Sequence, residues 1–322
     1  MTKILHFAPI LALMLMALPF SACSRAPQVS TSGELEGNIT ISGAFALYPM
    51  MTRWAEEFQK LHPKVTFDTS AGGAGKGMAD ALAGAVDIGM VSRAVNAEEE
   101  AKGAYWVPVT KDAVFVTLSA SNPVLQDLLK VGLSNEMFIK IFVTGEVKIW
   151  GQVIGRPEIT DEIHVYTRSD ACGAAETWAR YLGNEKQEDL LGIAVFGDPG
   201  LLDAVIKDWL GIGYNNLNYA YDMASGQPVA GAAIAPIDYN QNGAADPDEI
   251  LETRDEAQQA VATGKYPSPP ARDLNLVTRG KPGGVVQAFI QWILTDGQKF
   301  VGEAGYVQLI PEQLAEALEK VQ

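Results

Sequence analysis

Short apolar runs of strand length alternate with helical stretches through most of the sequence, and this alternation most restricts how the chain can fold. NITISG at 38–43 reads as a strand. The stretch 49–61 then places Met50, Trp54, Phe58 and Leu61 on one helical face, and KVTFDTS at 64–70 returns as a strand. The order continues with a helix over 78–85, the strand-like AVDIGMV at 85–91, and AVFVTLS at 113–119, apolar enough to be buried on both faces. A helical stretch around 135–143, the strand-like EIHVYT at 162–167, a helix over 174–182 and IGYNNLNYAYD at 212–222 follow. The Pro-rich YPSPPARDL at 266–274 leads into a short strand, NLVTRG, and two final helices over 285–304 and 311–321. Strand, helix, strand in succession is the βαβ unit, so an α/β fold with a parallel sheet is predicted.

With 322 residues the chain is about twice the usual domain length of roughly 150, so two lobes are expected. Hydrophobic residues make up 48% and charged residues 20%, ordinary values for a soluble globular protein. The formal net charge is −15 and no basic block is present, which disfavours nucleic acid as a partner. Two cysteines cannot build a disulfide framework.

The first residues read as an export signal: Lys3, an apolar run over 4–20, then Ser21 and Ala22 before Cys23. Residues 24–36 are polar, contain Pro and Gly, and suit a tether, so the folded body is expected to begin near Gly37.

Two glycine-bearing turns stand where anions bind well. SAGGAGKGM at 70–78 follows a strand and opens a helix, so its backbone N–H groups can point at an anion. It is not a nucleotide-binding P-loop, because Ser70 and Gly77 stand where that motif needs Gly and Ser or Thr. YTRSDACGAAETW at 166–178 repeats the arrangement with Arg168 and Asp170 before a helix opening at Gly173 and Ala174. A fixed guanidinium beside a helix N-terminus favours an oxyanion. The bland readings are a structural βα loop and a surface Arg–Asp cap. Cys172 at the same helix start reads as a small hydrogen-bonding or packing residue, with a nucleophile as the other possibility; His164 is the one histidine near enough in sequence to serve as its base.

A third motif is independent of these. DYNQNGAADPDE at 238–249 matches the pattern of a calcium loop, with Asp238, Asn240, Asn242, Asp246 and Glu249 as side-chain ligands, the carbonyl of Ala244 as a further one, and Gly243 at the sharp turn. The residues before it do not read as a helix, so the expectation is a single structural calcium ion rather than a helix–loop–helix sensor. An Asn/Gly/Asp-rich surface turn is the alternative.

Taken in order, GAFALYP at 43–49, TSAGGAGKG at 69–77, VDIGMVSRAV at 86–95, IFVTGEVKIW at 141–150, TRSDACGA at 167–174, IGYNNLNYAYD at 212–222 and WILTDGQKFVGEAGYVQL at 292–309 resemble the phosphate-binding proteins of high-affinity phosphate ABC importers. Phe20-Ser21-Ala22-Cys23 similarly resembles the lipobox of bacterial lipoproteins. These resemblances imply a type II periplasmic binding-protein fold, with two α/β lobes, two hinge crossovers and an anion in the cleft between them. The implied division is signal peptide 1–22, tether 23–36, one lobe 37–113 plus 273–322, and a second lobe 114–272. They further imply cleavage before a lipidated Cys23, a monomer on the outer face of the cytoplasmic membrane, capture of inorganic phosphate for an ABC permease, and no cofactor needed for transport.

Carried over residue by residue, the resemblance implies phosphate contacts at Leu47, Tyr48, Ser70, Arg93, Arg168, Asp170, Cys172, Gly173 and Ala174. Several positions depart from the family pattern. Leu47 stands where a Thr is common, so only its backbone N–H is available; Cys172 and Ala174 replace Ser and Thr; Arg93 stands where some members have a proton-accepting Asp. Discrimination against sulfate, which has no proton to give at neutral pH, then falls to Asp170 or another carboxylate. The alternatives are a binder of arsenate or sulfate, an exported phosphatase using Asp170 or Cys172, and an adhesion or calcium-dependent structural module built around 238–249.

Overall fold

The computed structural model describes residues 34–322. The expected signal peptide, Cys23 and most of the expected tether lie outside the described residues.

The strands are β1 (Gly37–Gly43), β2 (Val65–Ala71), β3 (Ile88–Val91), β4 (Ala104–Ser119), β5 (His164–Arg168), β6 (Ile193–Val195), β7 (Gly211–Asn216), β8 (Ala232–Ile234) and β9 (Ala271–Arg279). Their order is β2-β1-β3-β9-β4-β7-β5-β6, with β8 beside β4. The βαβ units are parallel as expected, β1 with β2 and β3 at one end and β5 with β6 and β7 at the other. The sheet as a whole is mixed, which corrects the expectation of a parallel sheet. The two long central strands, β4 and β9, run antiparallel to each other and to their neighbours.

These two strands join two hydrophobic cores. Ala104, Val107 and Val109 of β4 pack with Leu274, Leu276 and Val277 of β9 in one core, which also holds Trp54, Phe58 and Phe289. Further along, Ala113 to Val116 and Leu118 of β4, with Ala271 of β9, enter a second core around Phe142, Trp178 and Tyr214. A 16-residue strand is long enough to serve both.

The elements follow from local sequence. Helix Tyr48–Leu61 has Pro49 in its first turn, where the missing N–H costs nothing, and buries Met50, Met51, Trp54 and Phe58 at helical spacing. Each such side chain contributes on the order of 1.5–3 kcal/mol on burial. Helix Ala74–Ala83 begins sooner than the 78–85 expected from apolar spacing, because Gly73, at φ +91°, turns the chain directly into it. The helix expected over 285–304 is two, Gly284–Leu294 and Lys299–Glu303, broken where Thr295 leaves helical geometry and Gly297 packs on the ring of Trp292.

Candidate functional site

Arg168 ends β5 with its side chain 1% exposed, and it is the centre of the site. Burying a guanidinium is costly unless its hydrogen bonds are met. Here Nε and Nη2 donate to Asp170 at 2.8 and 2.6 Å, and Nη1 donates to Asp198 at 2.5 Å. Three of the five guanidinium N–H groups are committed, leaving two. Burial works against the charge, but Asp198 and Asp170 outweigh it and hold the Arg168 pKa above its ordinary value. Asp170 is fixed in turn by the backbone N–H of Gly197 at 3.0 Å. Asp198 accepts from the Asn216 N–H at 3.1 Å and side-chain amide at 2.8 Å. The ring of Phe45, from the other lobe, lies 5.3 Å from the guanidinium carbon of Arg168, a cation–π distance.

The helix Gly173–Tyr181 opens beside this centre, so the N–H groups of Gly173 and Ala174 have no intrahelical acceptor. Cys172 is its N-cap: the Sγ atom accepts the Ala175 N–H at 3.3 Å. Burial pushes the Cys172 thiol up to about 12, so it stays protonated at neutral pH. Gln187 accepts the Cys172 N–H at 3.0 Å and donates to the Asp170 carbonyl at 2.7 Å, bracing the turn.

The turn over Asp170 to Gly173 meets the first lobe directly. The N–H of Gly75 donates to the Ala171 carbonyl at 3.0 Å. A side chain on Gly73 would come within 2.9 Å of Asp170 Oδ2, and one on Gly173 within 2.2 Å of the Ser92 carbonyl. Glycine is required at this seam because backbone touches backbone. A groove of about 370 Å³ runs along it, lined among others by Gly75, Arg93, Cys172, Glu176 and Gln187.

Arg93 belongs to this groove. It donates to both Glu99 carboxylate oxygens, at 2.9 and 2.7 Å, and meets Glu176 of the other lobe at 3.0 Å. The hydrogen bonds to Glu99 raise its pKa, while burial raises that of Glu176. The charge Arg93 brings to the seam is therefore matched by two acids.

Arg168, Asp170, Cys172, Gly173 and Ala174 are thus brought together at one turn, and Arg93 shares the groove along the seam with Cys172. The remaining expected residues stand differently. The Leu47 side chain is fully buried and its N–H donates to Ala44; the Tyr48 N–H donates to Phe45. Ser70 is exposed, its hydroxyl 3.5 Å from the Ile41 carbonyl. The N–H groups of Gly72 and Gly73 donate to the Gly43 carbonyl.

The loop at 238–249 is closed by its own hydrogen bonds. Asp238 accepts the N–H groups of Asn242 and Gly243, Glu249 accepts those of Tyr239 and Asp246, Asn242 accepts that of Ala244, and Asn240 donates to Asp246. Among the described residues no three His, Cys, Asp or Glu side chains gather as a metal-holding group.

Sequence reasoning missed Asp198, Asn216, Phe45 and Gln187. Asp198-Pro199 looks like a turn signal, and the pairing of Asp198 with Arg168 spans 30 positions. The one available sign was an acid next to the apolar run of helix Gly197–Lys207.

A model of the PBP superfamily domain matches residues 28–297. The phosphate-binding protein PstS of Bacillus subtilis is 27% identical, with 92% of this chain and 93% of that protein covered. PstS of Methanocaldococcus jannaschii is 26% identical, with 94% and 93% covered. Among solved structures, an ABC-type phosphate transport receptor from Vibrio cholerae matches with a TM-score of 0.61 at 20% identity, over 84% of this chain and 100% of that one, which is a likeness of fold. The family match across most of the chain agrees with two cores joined by two strand crossovers. The chain belongs to the PBP superfamily and has the two-lobed periplasmic binding-protein fold.

Proposed function

We propose that this chain is an extracytoplasmic solute-binding protein that captures inorganic phosphate between its lobes and delivers it to an ABC permease. It is a binding protein rather than an enzyme. The observation that carries the reading is Arg168, buried at the seam of two lobes, locked by two carboxylates and set beside a free helix N-terminus. The names of its relatives support phosphate as the anion.

The site's own charges suit a protonated anion. Asp170 and Asp198 outnumber Arg168, so a fully ionised oxyanion meets excess negative charge, whereas hydrogen phosphate can donate its proton to a carboxylate. Asp170, between Arg168 and the glycine turn, is the acceptor in this reading. The two unused N–H groups of Arg168 and those of Gly173 and Ala174 supply donors from the second lobe. From the first, the Ser70 hydroxyl supplies one, and the N–H groups of Leu47, Tyr48, Gly72, Gly73 and Gly75 join it only by leaving the carbonyls they now bond. The moving bodies are 37–113 plus 273–322 and 114–272, and contacts made from both stabilise the closed form. Cleavage before Cys23 and acylation of its thiol would tether the monomer to the outer face of the cytoplasmic membrane.

Titration calorimetry of the purified protein is expected to give one phosphate site and no heat with sulfate; absence of phosphate binding overturns the proposal. Arg168→Lys keeps the charge but loses the fork, and is expected to weaken phosphate by at least about tenfold, or ~1.4 kcal/mol.

A structural calcium ion at 238–249 is the secondary reading, supported by the sequence spacing. The ion would replace the hydrogen bonds that now hold Asp238 and Glu249, with Asn240, Asn242, Asp246 and the Ala244 carbonyl completing its shell. Calcium is expected to raise the melting temperature and leave phosphate affinity unchanged; an unchanged melting temperature removes the site.

A further inference from the structure

The two strands that join the lobes carry a charge pair at facing positions. Asp112 on β4 and Arg272 on β9 are register partners. Their side chains are 2% and 8% exposed, with Arg272 Nη1 3.5 Å from Asp112 Oδ2. Neither of those two atoms has a hydrogen-bond partner.

The rest of the guanidinium is committed, and to both lobes. Nε donates to the Ser92 carbonyl at 3.2 Å, just beyond β3 in the first lobe. Nη2 donates to Asn216 Oδ1, at the end of β7 in the second. Each acceptor leads directly to the anion centre. The Ser92 carbonyl is the surface on which Gly173 packs, at the start of the helix beside Arg168. The Asn216 amide donates at 2.8 Å to Asp198 Oδ2, the same oxygen that accepts Arg168 Nη1.

We propose that Arg272 is a positioning residue for the anion centre, a clasp beneath the cleft that ties Ser92 to Asn216 and so favours the closed arrangement of the lobes around Arg168. This rests on the anion-binding reading above. The physical reason is that one planar guanidinium donates in two directions at fixed angles, so it can hold both acceptors only while they stay close. Opening the cleft separates Ser92 from Asn216 and breaks at least one charge-assisted bond in a buried place. Asp112 steadies the clasp from its own strand, its Oδ1 pinned by the N–H groups of Ala113 and Leu217 at 2.8 and 3.2 Å. A group that is bonded differently in the open and closed states shifts the equilibrium between them, and ligand affinity follows the closed fraction.

The test is phosphate calorimetry and small-angle scattering on the wild type, Arg272→Gln and Arg272→Lys. Arg272→Gln is expected to weaken phosphate about tenfold or more, at unchanged stoichiometry, and to enlarge the scattering radius. Arg272→Lys is expected not to restore affinity, because one ammonium cannot span both acceptors. Wild-type affinity in Arg272→Gln, or full rescue by lysine, overturns the proposal. If Arg272→Gln does not fold, Asn216→Ala cuts the clasp at its other end and must show the same loss; undiminished affinity there overturns it equally. If the wild type itself binds no phosphate, the functional reading fails, and the clasp is then judged on scattering alone, where equal radii for wild type and variants reject it.

Discussion

At the scale of single residues, Cys172 shows how burial decides between two chemistries that a sequence leaves open. A thiol at a helix N-terminus can be activated by the helix dipole. Here it is buried, pushed up to about 12, and already engaged as the acceptor of the Ala175 N–H. A hydroxyl at this N-cap does the same with a stronger acceptor, so Cys172→Ser is expected to leave phosphate affinity within about threefold and the melting temperature unchanged or higher. Peptide mapping after iodoacetamide treatment at mildly alkaline pH should find Cys172 unmodified in the native protein and modified after unfolding. Rapid native modification would contradict this account. Arg168 and Asp170 were legible in sequence because they lie two positions apart on one turn. Asp198 was not, since only the packing of helix Gly197–Lys207 onto β7 brings it to Arg168.

Elements were legible where apolar spacing runs undisturbed. The helix expected over 311–321 is Pro311–Val321 in the structure, and the strand expected at 162–167 is His164–Arg168. The first half of β4 was missed because Pro108 lies inside AYWVPVT, and proline argues against a central strand; the chain accommodates it with a register shift between Pro108 and Thr110. The glycine-rich segment at 70–78 has the composition of an anion turn, yet part of that composition serves packing. A Cβ on Gly77 would lie 2.5 Å from the Met90 carbonyl and 2.8 Å from the Gly43 Cα. Gly77→Ala is therefore expected to destabilise by ~1–3 kcal/mol through overpacking between helix Ala74–Ala83 and the sheet, measured by denaturant unfolding. A neutral effect would mean that the helix can move off β1 and β3 at no cost.

For the whole molecule, the net charge of −15 excludes broad polyanionic partners but not a small oxyanion held by a few local donors. Charge reaches the interior at the crossover, where burial raises the Asp112 carboxyl to about 6. The ionisable groups that act on it there are Arg272, Asp198, Tyr219 and Tyr306. A carboxyl with a folded pKa above its unfolded 3.8 binds its proton more tightly when folded. Its contribution to stability is complete below pH 3.8 and is lost as pH rises through about 6. Asp112→Asn is thus expected to gain stability relative to the wild type as pH increases across that window, followed by thermal unfolding. A difference that stays constant with pH would show that Asp112 is ionised in the native state throughout. Neither Asp112 nor Arg272 stood out in sequence as a pair, because they are 160 positions apart and meet only through the β4–β9 register.

That register also sets the order in which the protein can be assembled. The first core is begun by Ile39 and Ile41, yet it holds Leu276 from β9, which separates β3 from β4, and Val321 from the final helix. The second core draws almost all its side chains from one uninterrupted stretch between Ala113 and Ala271, with Val307 as its late addition. As the chain is delivered from its N-terminus, the middle of the sequence can therefore reach a nearly finished lobe first. The opening strands must wait for the last residues to emerge before their own sheet is filled in, leaving β3 with an unpaired edge that a chaperone, or a second unfinished copy, could meet in the interval.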